Sequence, residues 1–272
     1  MLPLWIAFAL PLADEPVKTV FFTLTFKERS PHSSPAEVTN RVGPKGVKKA
    51  DDYDLEKESF AVYVPENYTG KKAFGLLVFV SPNGNGDLKG FDRNDDGWSK
   101  ALYEREIIWV GPNKAGNDRP VLPRLGLSLD AAHNMPKQFD IDPERIYIGG
   151  VSGGGRITSW LLLPFPDVFT GGYSIIGADF YKNLPSKEQQ GVYAGTFKAP
   201  GPKLLGQARK HRYVLLTGDA DPNREQMQVI HQTLKKDGWQ KVFYFQVPRM
   251  GHSAPNGEWF AKGLAALDGE RE

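Results

Sequence analysis

A serine, a histidine and a choice of aspartates stand at turns of this chain where they could act together on an acyl carbon. Ser152 lies within Gly150-Val151-Ser152-Gly153-Gly154, between a β-rich run and a helix-like segment. Glycines on both sides permit a sharp, strained turn that lifts the hydroxyl clear of a sheet edge. Gly218-Asp219-Ala220-Asp221 follows the apolar run 213–217, and Gly251-His252 follows the run 241–247. A serine hydroxyl is too weak an acid to attack unaided. An imidazole such as that of His252 can take its proton and return it to the leaving group, while a carboxylate fixes the ring tautomer and stabilises its cation. Charge building on the carbonyl oxygen needs N–H donors already in place. Gly153, opening a helix directly after the serine, supplies one.

Elements able to bring these turns together follow from hydrophobic patterning. Strands are expected over 20–26, 60–65, 74–81, 106–111, 145–150, 172–177, 213–217 and 241–247. The run 74–81, Phe-Gly-Leu-Leu-Val-Phe-Val-Ser, is almost wholly apolar, as suits a strand buried on both faces of a parallel sheet. Helical patterns over 98–105, 125–139, 154–163, 203–210, 224–236 and 258–267 alternate with the later strands. This is the signature of an α/β chain with a mostly parallel, doubly wound sheet. Segments 27–54 and 180–202 read as irregular, and Asp142-Pro143 reads as a break before the strand that leads to Ser152. In such a sheet reactive groups gather beyond the carboxyl ends of the strands, where all three turns fall.

The Gly150–Gly154 turn, with Gly-x-x-Asp and Gly-His after two later strands, resembles the α/β-hydrolase superfamily over about 60–267. The likeness is greatest to secreted esterases grouped with polyhydroxybutyrate depolymerases, feruloyl esterases and the catalytic domain of prolyl oligopeptidases. It implies a serine hydrolase with the chain order serine, acid, histidine: Ser152, Asp221 and His252, with Asp219 the second choice for the acid and Asp179 the third. It also implies a second oxyanion donor after the 74–81 strand, at Gly84 or Asn85. There the family's His-Gly pair is replaced by Pro82-Asn83. The implied activity is carboxylic ester cleavage through an acyl-enzyme, with no cofactor. A prolyl oligopeptidase-like peptidase and a non-catalytic binding protein are the alternatives. The short insert at 180–202 implies an open cleft and a bulky or polymeric substrate; its Phe180, Tyr181, Tyr193 and Phe197 could line that cleft or pack the insert down.

Composition bounds the rest. The chain has 272 residues with 34 basic and 32 acidic side chains, a net charge of +2 and no basic stripe suited to nucleic acid. Residues 1–13 are apolar, too short to span a bilayer, and read as a signal peptide cleaved near Ala13, leaving 14–272 as one domain that is secreted or periplasmic. No cysteine is present, which removes disulfides, thiolate metal sites and a catalytic thiol. Asp92, Asn94, Asp96 and Gly97 open like a calcium loop, but Tyr103 stands where the bidentate glutamate belongs, so an acidic turn capping a helix is expected and no metal. His32, His133, His211 and His231 lack matching partners and are expected to be solvated or hydrogen-bonded. Asn67-Tyr68-Thr69 forms a glycosylation sequon.

Overall fold

A computed structural model describes residues 20–43, 47–92, 97–187 and 191–269. The expected leader therefore lies outside the described residues. An eight-stranded sheet runs in the order β1-β2-β4-β3-β5-β6-β9-β10, built from β1 (Val20–Leu24), β2 (Phe60–Val64), β3 (Phe74–Val80), β4 (Ile107–Pro112), β5 (Ile141–Val151), β6 (Gly171–Ile175), β9 (Arg212–Gly218) and β10 (Val242–Val247). β2 pairs antiparallel with β1 and β4; every later pairing is parallel. The order reverses between β3 and β5, which places β5 and its serine turn at the centre.

Alternation along β3 divides the core. Leu76, Val78 and Val80 point to one face, packed by α1 (Pro35–Val42), α3 (Val121–Asn134), α4 (Gly153–Leu162) and α6 (Arg224–Lys236). Leu77 and Phe79 point to the other, covered by α2 (Trp98–Glu104) and α7 (Gly257–Asp268). On that second face Trp98 stacks on Phe260 with ring centroids 3.7 Å apart, and Phe79 stacks on Trp109 at 4.2 Å. Both faces of the central strand are thus dry, as its unbroken apolar run requires.

Several segments differ from expectation. The 27–54 stretch contains α1, whose N-cap Ser34 accepts the Glu37 N–H at 3.2 Å, and a short 3₁₀ turn over Lys49–Asp51, with a second just beyond it over Leu55–Lys57. β5 continues through Asp142-Pro143, its register against β3 shifting between Phe74 and Leu76. The proline's missing N–H is absorbed at that irregularity. α3 starts at Val121 and gives way to a 3₁₀ turn over Met135–Lys137, because Pro136 cannot continue the helix ladder. The insert contains the antiparallel hairpin β7 (Leu184–Ser186) and β8 (Gly191–Tyr193). Along the chain between β8 and β9, α5 (Pro202–Ala208) completes the set.

Candidate active site

Ser152 is the single residue between β5 and α4, and its backbone is held at φ 55°, ψ −116°. A non-glycine residue there is strained, and the surroundings must enforce it. They do so from below: the Ser152 N–H donates to Ile175 O at 2.8 Å, and its carbonyl accepts the Arg156 N–H at 3.1 Å. The helix can start so close to the sheet because residue 154 has no side chain. A Cβ on Gly154 would lie 1.8 Å from Val80 O, so any other residue would push α4 off the end of β3.

The sheet brings Ser152, His252 and Asp221 together across 100 residues of sequence. Ser152 Oγ lies 2.8 Å from His252 Nε2, and His252 Nδ1 lies 3.0 Å from Asp221 Oδ1. His252 hangs from the turn after β10, with 40% of its side chain exposed, while the Asp221 side chain is wholly buried. A buried carboxylate must have its lone pairs satisfied. Asp221 Oδ1 also accepts the Asn223 N–H at 3.0 Å, and Oδ2 accepts the Thr217 hydroxyl at 2.7 Å. With Nδ1–H turned to the carboxylate, Nε2 is left as the acceptor facing the serine, which is the tautomer a base requires.

The other two aspartates lie elsewhere. Asp219 is half-exposed; its N–H donates to Val247 O and its carbonyl accepts Arg224 Nη1. Asp179 is buried and paired with Arg156 at 2.5 Å and with the Trp160 indole N–H at 2.8 Å, so neither of its oxygens reaches His252.

The loops after β3 and β4 are zipped together beside the serine. Asn117 N–H donates to Pro82 O at 2.8 Å and Lys114 N–H to Gly84 O at 2.6 Å. Of the two expected donors, Asn85 is already occupied: its N–H donates to Asn83 Oδ1 at 3.1 Å in an Asx-type turn. Gly84, at φ 74°, makes no hydrogen bond through its N–H among the described residues. The Asn117 side chain rests on Gly153, its Oδ1 1.8 Å from where a Cβ would stand. That oxygen accepts Arg124 Nη2 at 3.0 Å. Burial pulls the Arg124 guanidinium down to about 10, still far above neutrality, so it remains a cation.

Thr217, Asn223, Asn117 and Arg124 escaped the sequence reading. Only Thr217 carried a signal, as a hydroxyl closing an otherwise apolar strand directly before the acid's turn. The insert's aromatics pack it down: Phe180 and Phe197 are buried, Phe197 lies 5.4 Å from Trp160, and the Tyr193 hydroxyl donates to Glu225 at 2.5 Å. Asp92 is a helix cap, its carboxylate accepting the N–H groups of Gly97, Trp98 and Ser99. The four remaining histidines also make local contacts: His32 with Arg41, His133 with Glu28 and Lys137, and His231 stacked on Tyr244, while burial lowers the proton affinity of His211. In the sequon, the Asn67 amide donates to Tyr103 O at 3.1 Å. Among the described residues no helix is long and apolar enough to cross a membrane, and no acidic or histidine cluster could hold a metal.

No protein-family model matches the chain, and no curated relative does either. Solved structures do match. A feruloyl esterase module from Clostridium thermocellum, complexed with sinapinate, superposes with TM-score 0.62 over 92% of this chain and 87% of its own, at 13% identity. An S-formylglutathione hydrolase from Staphylococcus aureus gives 0.60 over 94% and 99% at 12% identity, and an arylesterase gives 0.57 over 94% and 85% at 13%. At such identities the likeness is one of fold: this chain has the α/β-hydrolase fold.

Proposed function

We propose that this protein is a serine hydrolase that cleaves carboxylic esters through an acyl-enzyme on Ser152. The observation that carries the reading is the unbroken relay from Ser152 Oγ to His252 Nε2 at 2.8 Å and from His252 Nδ1 to Asp221 at 3.0 Å. Ser152 Oγ attacks the ester carbonyl as its proton passes to His252 Nε2, and Asp221 stabilises the imidazolium so formed. The oxyanion is received by the Gly153 N–H at the start of α4, with the Gly84 N–H as the second donor. Collapse expels the alcohol, which takes the proton from Nε2. Water then repeats the sequence on the acyl-enzyme, releasing the acid. No step calls for a cofactor.

The half-exposed serine and the 40% exposed histidine favour a bulky or polymeric ester, because the described residues leave the imidazole open to solvent. We further propose that residues 1–13 direct export and are removed, leaving a secreted or periplasmic protein of one domain. Expression of the full chain, with intact mass measured on the exported product, tests both parts when combined with an assay on nitrophenyl esters, a proline-linked anilide and a fluorophosphonate probe. A product beginning near Asp14, ester turnover, and labelling that disappears in Ser152→Ala are expected. Anilide cleavage without ester turnover would make the protein a peptidase, and an inert wild type would make it a binding protein.

A further inference from the structure

Asn223 occupies the N-cap position of α6, where an asparagine side chain ordinarily accepts an N–H of the helix's first turn. It makes no such bond. Its side chain turns toward the serine turn instead: Nδ2 donates to Ile176 O at 2.9 Å, and Oδ1 accepts Arg156 Nη2 at 3.1 Å. Its backbone N–H meanwhile donates to Asp221 Oδ1, the same oxygen that receives His252 Nδ1. One residue thus touches three parts of the site.

The two remote ends are informative. Ile176 is a buried, β-branched residue at φ 48°, a backbone conformation that such a side chain seldom adopts without enforcement. It follows Ile175, whose carbonyl receives the Ser152 N–H, and precedes Gly177, where a Cβ would lie 2.4 Å from Ser152 O. Strained backbone is therefore stacked directly beneath strained backbone, and Asn223 grips the lower layer. Arg156 stands one turn into α4, its own N–H on Ser152 O. Its guanidinium is fixed by Asp179 at 2.5 Å and by Gln226 at 3.4 Å, besides Asn223. With a cation on one side and a carbonyl on the other, the Asn223 amide has one permitted orientation.

We propose that Asn223 is a positioning residue that sets the distance between the nucleophile turn and the acid turn, with Arg156 holding its amide in register. The inference rests on the esterase reading of Ser152. Asn223 touches no reacting atom; it acts through Asp221 and through the Ile176 peptide. Losing its side-chain bonds frees the 221–223 turn to shift, and a misplacement of about 1 Å can slow a relay of this kind by about a hundredfold. The loss should fall on turnover more than on substrate binding, since the bonds of Asn223 run to Ile176 O, Arg156 and Asp221.

The test compares wild type, Asn223→Ala, Asn223→Asp, Arg156→Ala and the Arg156→Ala/Asn223→Ala double variant in the full chain. It reads kcat and KM on nitrophenyl acetate, the rate of fluorophosphonate labelling of Ser152, and Tm. Asn223→Asp is the near-isosteric control against a folding failure: it keeps an acceptor for Arg156 but sets an oxygen against Ile176 O. Both Asn223 variants should lower kcat and labelling by about tenfold while KM moves less than about twofold. The double variant should be no slower than Asn223→Ala, because both substitutions break one chain of contacts. Variants that keep kcat within about twofold of an active wild type overturn the inference alone, as do losses that multiply in the double variant or that track Tm. An inert wild type overturns it together with the esterase reading.

Discussion

Replacing Asp221 with asparagine separates the charge of the acid from its geometry, and the hydrogen bonds around it say how large the effect should be. Oδ1 faces one donor that cannot invert, the Asn223 N–H, and His252 Nδ1, whose role follows the ring tautomer, each at 3.0 Å. Oδ2 faces only the Thr217 hydroxyl, at 2.7 Å, which can rotate and accept. An asparagine should therefore place its carbonyl at the Oδ1 position and its NH₂ toward Thr217, leaving the imidazole tautomer intact. What disappears is the attraction between carboxylate and imidazolium. For charge centres about 4 Å apart this is about 4 kcal/mol at an effective dielectric of about 20. With 40% of the His252 side chain in water, screening brings it to about 2–3 kcal/mol. That is about a hundredfold in kcat/KM at roughly 1.4 kcal/mol per decade. The assay is kcat/KM on nitrophenyl acetate for Asp221→Asn beside Asp219→Asn, the latter expected within about twofold of wild type. A loss of about 10⁴-fold would show that the amide had flipped and trapped the wrong tautomer, refuting the rotor role given to Thr217. A loss under about tenfold, or an equal loss in Asp219→Asn, would refute the assignment of Asp221 itself.

Two further perturbations address stability. Gly154→Ala places a methyl 1.8 Å from Val80 O, and α4 must move for it to fit; a cost of about 3 kcal/mol or more is expected, read as a lowered Tm together with loss of fluorophosphonate labelling. Asp130 is buried under the 27–54 segment, bonded by the Ser30 N–H at 2.7 Å and by the Tyr53 hydroxyl, and burial outweighs these bonds to raise its carboxyl above the usual range. Its proton is thus bound more tightly in the folded state, so its contribution to stability is fully present below the ordinary carboxylate range and is lost as pH rises through the raised value. Asp130→Asn, uncharged throughout, should gain on wild type in urea melts between pH 4 and pH 8, and a constant difference across that range would refute the shift.

The parallel sheet and the position of the serine could be read because each rests on a short-range rule. β3 is apolar at every position since both faces are covered, and the serine turn has glycines where α4 meets β3. What escaped reading was held by long-range contacts. α1 carried a recognisable start, Ser34 with Glu37 three residues on, but only Val38 and Val42 are buried in it, too few to show a period. The β7–β8 hairpin has three-residue strands, and what fixes it is Glu225 on α6, which accepts from Ser186, Lys187 and Tyr193. The choice between Gly84 and Asn85 as the proposed second oxyanion donor depended on a loop whose shape is set by Asn83, an Asx turn, and by bonds to residues 114 and 117. Asn223 gave no signal because its partners are 47 and 67 residues away.

These long-range contacts explain how the site can be both exposed and ordered. A relay under a closing cap can be aligned by the cap; here the insert is clasped to α6, and His252 remains open to solvent. Alignment has to come from beneath. The turns after β3 and β4 are joined there, and those after β5 and β6 are tied to the neighbouring strands, by main-chain bonds from Asn117 to Pro82, Lys114 to Gly84, Ser152 to Ile175 and Ile176 to Leu216. Side chains of Asn223, Arg156 and Thr217 complete the floor. On the proposed esterase reading, such a floor would hold the imidazole and the proposed oxyanion donors in place before substrate arrives. At the rim the exposed Asn83 and Asn117 tie into the same floor, Asn83 Oδ1 accepting the Asn85 N–H and Asn117 Oδ1 accepting Arg124 Nη2.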